Sequence, residues 1–114
     1  MTITYEELHE RLVEKEEHLI EQVHDIQQSV REEGVGYSNH MADAGSEVFE
    51  QARDVSLARQ LQRSLEDTRR ALQKFDDGTY GLCESCGGAI DISRLEALPS
   101  VRYCIRCQSR RERA

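Results

Sequence analysis

The tightest constraint on this chain is Cys83-Glu84-Ser85-Cys86, answered downstream by Cys104-Ile105-Arg106-Cys107. Seventeen residues separate Cys86 from Cys104, so the pattern is C-x2-C-x17-C-x2-C, a spacing read as a zinc site. Each Cys-x2-Cys turn sets two thiolates on one side of a metal, and two facing turns complete a tetrahedron. Gly87 and Gly88 follow the first pair, and glycine supplies the positive φ that a tight metal-binding turn needs. The chain has four cysteines, so none is left over.

Other uses of four cysteines fit less well. No signal peptide is legible and the chain reads as cytoplasmic, where thiols stay reduced. A redox Cys-x-x-Cys calls for one motif in a βαβ context; here there are two motifs and no such context. Spacing alone does not separate iron from zinc. The expectation is one structural Zn²⁺ on Cys83, Cys86, Cys104 and Cys107. No coordination position is left for water, so the metal is not expected to catalyse. Backbone N–H groups and Arg94, Arg102 or Arg106 are candidate neutralisers of a site with a formal charge of about −2. No nucleophile–base set is legible either, and an enzyme is not expected.

With 114 residues, 38 % of them hydrophobic and 5 % aromatic, the chain can bury only a thin core, and a metal staple answers that need. The net charge is −7. Residues 1–33 hold ten acids and three bases, whereas residues 79–114 hold four acids and six arginines. An acidic chain is a poor general ligand for phosphate backbones, and a basic protein partner suits it better. No apolar run approaches the ~20 residues of a membrane span, so no membrane partner is expected.

The single proline, Pro99, leaves room for long helices. Thr4-Tyr5-Glu6-Glu7 fits a capping box. Tyr5, Leu8, Leu12, Leu19, Val23, Ile26 and Val30 then form one apolar stripe, interrupted at Lys15 and Gln22. This helix is expected over about residues 5–33, stopped by Gly34-Val35-Gly36. A second helix is expected from an N-cap at Ser46, with the stripe Val48, Ala52, Val55, Ala58, Leu61, Leu65, Thr68, Leu72 and Phe75. Its run of three-residue steps departs from a strict heptad and suggests over-winding or a bend near Val55–Leu61. Asp76-Asp77-Gly78 ends it. Two amphipathic helices of similar length and a short connection point to an antiparallel coiled-coil hairpin in a monomer; pairing of the stripes between chains is the alternative. The expected fold is therefore mainly all-α. A hairpin over residues 1–78 has its tip loop at 34–45, and a zinc-finger lobe over residues 79–114 carries a short strand at Val101–Tyr103, a brief helix at Ser93–Ala97 and a C-terminal helix from Ile105. His9, His18 and His24 do not stack on one helix face and read as solvated. Arg69 and Arg70 read as partner contacts or as pairs with acids along the helix.

With that architecture in hand, the chain resembles the DksA/TraR family of C4-type zinc-finger transcription factors. The matching residues are Tyr80-Gly81-Leu82-Cys83-Glu84-Ser85-Cys86-Gly87, Ile90, Arg94-Leu95-Glu96-Ala97-Leu98-Pro99 and Tyr103-Cys104-Ile105-Arg106-Cys107-Gln108. The resemblance implies direct binding to bacterial RNA polymerase without sequence-specific DNA binding. It also implies insertion of the hairpin tip into the secondary channel, where it alters promoter complexes. The family tip motif D-x-x-D-x-A, counted back from Cys83, places its second aspartate on Asp43, its first on His40 and its alanine on Gly45, next to Ala44. Asn39, His40, Asp43 and Ala44 are therefore the candidate tip residues, with one acid instead of two. Some members bind (p)ppGpp through basic residues at the polymerase interface. The aligned positions here are Asp67, Leu98 and Gln108, none basic, so that site is expected to be absent. A nucleic-acid-binding zinc module using Arg110, Arg111 and Arg113, and a structural coiled-coil adaptor, are the competing readings.

Overall fold

The computed structural model describes the backbone of residues 2–36 and 44–113 and the side chains of residues 2–29 and 53–113. Four helices follow in order: α1 (Tyr5–Gly36), α2 (Ala44–Asp77), α3 (Ile92–Ala97) and α4 (Ile105–Arg113). β pairing among the described residues is a single antiparallel bridge, Leu82 with Ala89. The strand expected at Val101–Tyr103 does not form. Arg102 offers its carbonyl to the Glu84 N–H at 2.9 Å, and the chain then turns at once into the second cysteine pair.

Local chemistry explains most of the helix ends. The Thr4 hydroxyl accepts the Glu7 N–H at 3.2 Å, which satisfies one of the donors that a helix start leaves open. Glu6 and Glu7 lie in the first turn of α1, where a negative charge meets the positive end of the helix dipole. At the end of α2, the Gly78 N–H bonds the Phe75 carbonyl and the Thr79 N–H bonds the Lys74 carbonyl, the Schellman pattern. Two expectations are corrected at the other ends. α1 does not stop at Gly34 but runs to Gly36. A helical glycine costs about 1 kcal/mol relative to alanine, too little to end a 32-residue helix. α2 begins at Ala44, since alanine is the strongest helix former, and Ser46 lies inside its first turn. Of the tip candidates, Ala44 opens α2, whereas Asn39, His40 and Asp43 lie outside the described residues.

The chain divides into two compact units, Met1–Glu16 with Glu66–Ala114, and Glu17–Leu65. In the first, Leu8 and Leu12 of α1 and Ala71 of α2 share one core with Ile3, Tyr80, Cys83, Ile90, Leu95 and Cys107, and Leu72 and Phe75 pack against it. In the second, Leu19 and Val23 of α1 meet Leu65 and Leu61 of α2. In each unit the helices run antiparallel: residues 8–12 of α1 share a core with 71–75 of α2, and 19–23 with 61–65. The α2 stripe holds from Leu61 to Phe75 but not at Val55, which is 37 % exposed. Two successive steps of three residues turn the helix face by about 120°, which carries Val55 off the seam.

Between Leu12 and Leu19 the apolar spacing breaks, and Glu16 takes the intervening turn. Its carboxylate lies 3.3 Å from the Arg69 guanidinium of α2, beside Thr68, which is fully buried.

Tyr80 ties α2 to the lobe. Its ring stacks on Phe75 with centroids 4.0 Å apart, and its hydroxyl donates to the Pro99 carbonyl at 2.9 Å. Burial, with Tyr5 nearby, pushes its pKa up to about 12. Gly81 follows at φ +87°, and a Cβ there would lie 2.7 Å from the Tyr5 hydroxyl. Both the backbone conformation and the space demand glycine.

Leu12→Ala is expected to remove about 2–5 kcal/mol of stability, since its side chain is fully enclosed. Leu57→Ala, at a position 42 % exposed, is expected to stay within about 0.5 kcal/mol. Urea denaturation followed by far-UV circular dichroism distinguishes the two.

Candidate metal centre

Two short turns build the site. In the first, the Cys83 N–H bonds the Gly88 carbonyl at 2.8 Å and the Gly87 N–H bonds the Cys83 carbonyl at 3.0 Å. Gly87 adopts φ +75°, the left-handed conformation that closes the turn without a side-chain clash. The second turn opens α4: Cys104 precedes its first residue, and the Gln108 N–H bonds the Cys104 carbonyl at 2.9 Å. Cys107 lies in the first turn of that helix and is buried.

The four sulfurs lie within 4.8 Å of one another, and the Cys86 and Cys104 sulfurs are 3.9 Å apart. A tetrahedral Zn²⁺ with Zn–S bonds of about 2.3 Å requires S···S edges of about 3.8 Å. The donor set fits zinc in number, element and spacing, and all four cysteines are free thiols. This is a C4 site for one structural Zn²⁺, which when bound cross-links the two turns.

The surrounding groups favour thiolates. The Ser85 N–H points to the Cys83 sulfur and the Gly88 N–H to the Cys86 sulfur, each at 3.4 Å. Burial raises the Cys83 pKa, but backbone N–H groups of Cys104, Cys86 and Ser85 and the Cys107 thiol outweigh it and hold it to about 6. The Cys107 N–H, in the first turn of α4, lowers Cys104. Cys107 is pushed up to about 12 by its hydrogen bond with Cys104 and by burial. Thiolate ligation makes metal binding at such a site release protons and depend on pH.

The arginines expected to neutralise the site do something else. Arg94 donates from Nε to the Tyr103 carbonyl at 3.0 Å and so fixes the residue before Cys104. Arg102 pairs with Glu84 at 2.8 Å, and Lys74 of α2 reaches the same Glu84 oxygen at 3.2 Å. The Glu84 N–H also donates to the Arg102 carbonyl, so this one residue joins α2, the first turn and the approach to the second. Burial raises its pKa, but the hydrogen bonds from Arg102 and Lys74 prevail and hold it below the usual carboxylate range. Arg106 is exposed. Sequence reasoning missed Glu84 because its partners are ten and eighteen residues away and meet it only in the folded lobe. His9 is exposed, as expected, and its ring also packs edge-on against Phe75 at 4.8 Å. Arg69 and Arg70 are engaged within the chain, with Glu16 and with Asp67.

The geometry defines a C4 zinc finger that shares its core with the start of α1 and the end of α2. The profile of the prokaryotic dksA/traR C4-type zinc finger matches residues 78–113, the zinc-binding lobe of this chain. General stress protein 16O of Bacillus subtilis is 43 % identical over 74 residues, covering 65 % of this chain and 45 % of that protein. The RNA polymerase-binding transcription factor DksA of Escherichia coli is 45 % identical over 51 residues, covering 45 % of this chain and 32 % of that protein. DksA of Caulobacter vibrioides is 32 % identical over 77 residues, covering 66 % of this chain and 54 % of that protein. The chain thus spans about a third to half of the length of these relatives. In fold, it matches transcription factor DksA2 of Pseudomonas aeruginosa with a TM-score of 0.60 at 22 % identity, over 90 % of this chain and 83 % of that one. No helix among the described residues is long and apolar enough to cross a membrane.

Strong chelation is expected to release one zinc ion per chain and to abolish the structure of α3 and α4, because metal binding is coupled to folding at such sites. A colorimetric metal assay run beside circular dichroism checks both. Glu84→Gln is expected to lower stability by about 1 kcal/mol, because two partly exposed ion pairs weaken while the backbone link persists. Thermal melting of the zinc-loaded protein measures it.

Proposed function

We propose that this protein regulates transcription by binding RNA polymerase directly. The observation that carries the reading is the 45 % identity to the Escherichia coli RNA polymerase-binding factor. The structural match over 90 % of the chain adds support for the fold. In this reading residues 79–114 dock and stabilise, residues 1–78 form a monomeric arm, and the tip enters the secondary channel. There Asp43, with Asn39, His40 and Ala44 around it, acts on promoter complexes. The zinc holds the lobe together and performs no chemistry, so the protein works by contact and not as an enzyme, in the cytoplasm where the polymerase is.

The alarmone (p)ppGpp has no basic receptor at the family's aligned positions. Asp67 pairs with Arg70 at 3.5 Å, Gln108 bonds Glu112 at 3.2 Å, and Leu98 is apolar. The protein therefore acts on polymerase without building that interface site.

Labelled protein titrated with core RNA polymerase is expected to bind saturably, and failure to bind at micromolar concentrations would overturn the reading. Asp43→Asn is expected to leave affinity within roughly twofold, the usual range for an exposed substitution, while changing transcript yield in a purified transcription reaction. Unchanged yield would remove the tip from the mechanism and leave polymerase binding in place.

A further inference from the structure

The first two turns of α1 and the last turns of α2 enclose a shallow groove of about 480 Å³, lined by Tyr5, Glu6, His9, Glu10 and Phe75. Of the four tyrosines and two phenylalanines of the chain, Tyr5 and Phe75 line the groove, and the buried Tyr80 packs behind them. The rings are held in place. Phe75 is stacked on Tyr80 and receives the His9 ring edge-on. Tyr5 stands at 88° to Tyr80, with centroids 5.6 Å apart, and its hydroxyl end occupies the space left by Gly81. Tyr5 nevertheless remains 47 % exposed.

Two carboxylates share this groove. Glu6 and Glu10 are one helical turn apart and so lie on one face of α1. The acids Glu16, Asp67 and Glu84 are engaged by Arg69, by Arg70, and by Lys74 with Arg102. Glu6 and Glu10, like most acids among the described residues, make no such pair and are open to a cation from outside.

Aromatic faces carry negative potential and attract cations. Carboxylates beside them add charge, and the groove is shallow enough for a side chain from another molecule to enter. Among biological cations the guanidinium suits it best: it is planar, stacks on rings, and bonds carboxylates with two parallel donors. A neutral side chain would cover the carboxylates without pairing them. We propose that this groove is a docking site for an arginine side chain presented by a partner protein. The excess of acids in residues 1–33 draws the same kind of partner towards it.

The test uses the zinc-loaded full chain and the peptide acetyl-Gly-Arg-Gly-amide, with the citrulline peptide as the neutral isostere. The expected result in an NMR titration is a saturable shift confined to the rings of Tyr5, His9, Phe75 and Tyr80, with a millimolar midpoint typical of one side chain. The citrulline peptide is expected to bind at least about tenfold more weakly, as is the arginine peptide on Glu6→Gln/Glu10→Gln protein of unchanged helicity. Equal midpoints for the two peptides, or no saturable shift, would overturn the assignment. The citrulline comparison needs no variant, and neither outcome depends on whether the protein binds RNA polymerase.

Discussion

Four sulfurs held within 4.8 Å are the condition on which the lobe rests. Uncompensated, four thiolates at that distance repel, and four neutral thiols have only weak hydrogen bonds to gather them. A divalent ion reverses the balance, and the backbone N–H groups aimed at Cys83 and Cys86 are arranged for the charged form. Cys83 and Cys107 belong to the same buried cluster as Leu8, Leu12 and Ala71. The metal site is thus not an appendage on the helices. Its ligands help to form the apolar layer that lets the start of α1 and the end of α2 pack.

Glu84 extends that integration by electrostatics. Situated between two ligands, it takes Lys74 from α2 and Arg102 from the approach to Cys104. Such partly exposed pairs add little stability one by one. Sharing one acceptor, they constrain three segments at once, and the constraint is angular as much as energetic. Tyr80 contributes in the same way, with its ring on Phe75 and its hydroxyl on the Pro99 carbonyl. Both contacts lie within the unit formed by Met1–Glu16 and Glu66–Ala114 and tie the zinc turns to the end of α2.

Much of this was legible in the sequence. The cysteine spacing specified the ligands, Gly78 and the preceding acids marked the end of α2, and the stripe from Leu61 to Phe75 identified its packed face. These features act locally or through simple periodicity. What was not legible depends on distant residues meeting. Nothing near Glu84 in the chain announces Lys74 or Arg102, and nothing near His9, exposed as expected, announces its ring contact with Phe75. The arginines around the cysteines suggested charge neutralisation. Arg94 instead bonds a backbone carbonyl, because nearby amides already serve the sulfurs. The helix ends at Gly36 and Ala44 were misplaced for another reason: one glycine or serine is a small perturbation on a helix of more than thirty residues.

The polar step at Glu16, Thr68 and Arg69 has a consequence for how the helices choose their alignment. Leucines opposite leucines tolerate sliding by a heptad, since one apolar neighbour replaces another. Sliding by a heptad would part Glu16 from Arg69, at a cost of about the modest value of this partly exposed pair. The charged step therefore acts as a phase mark. Because the pair forms in this register, it favours the native alignment over the slipped ones by that modest amount.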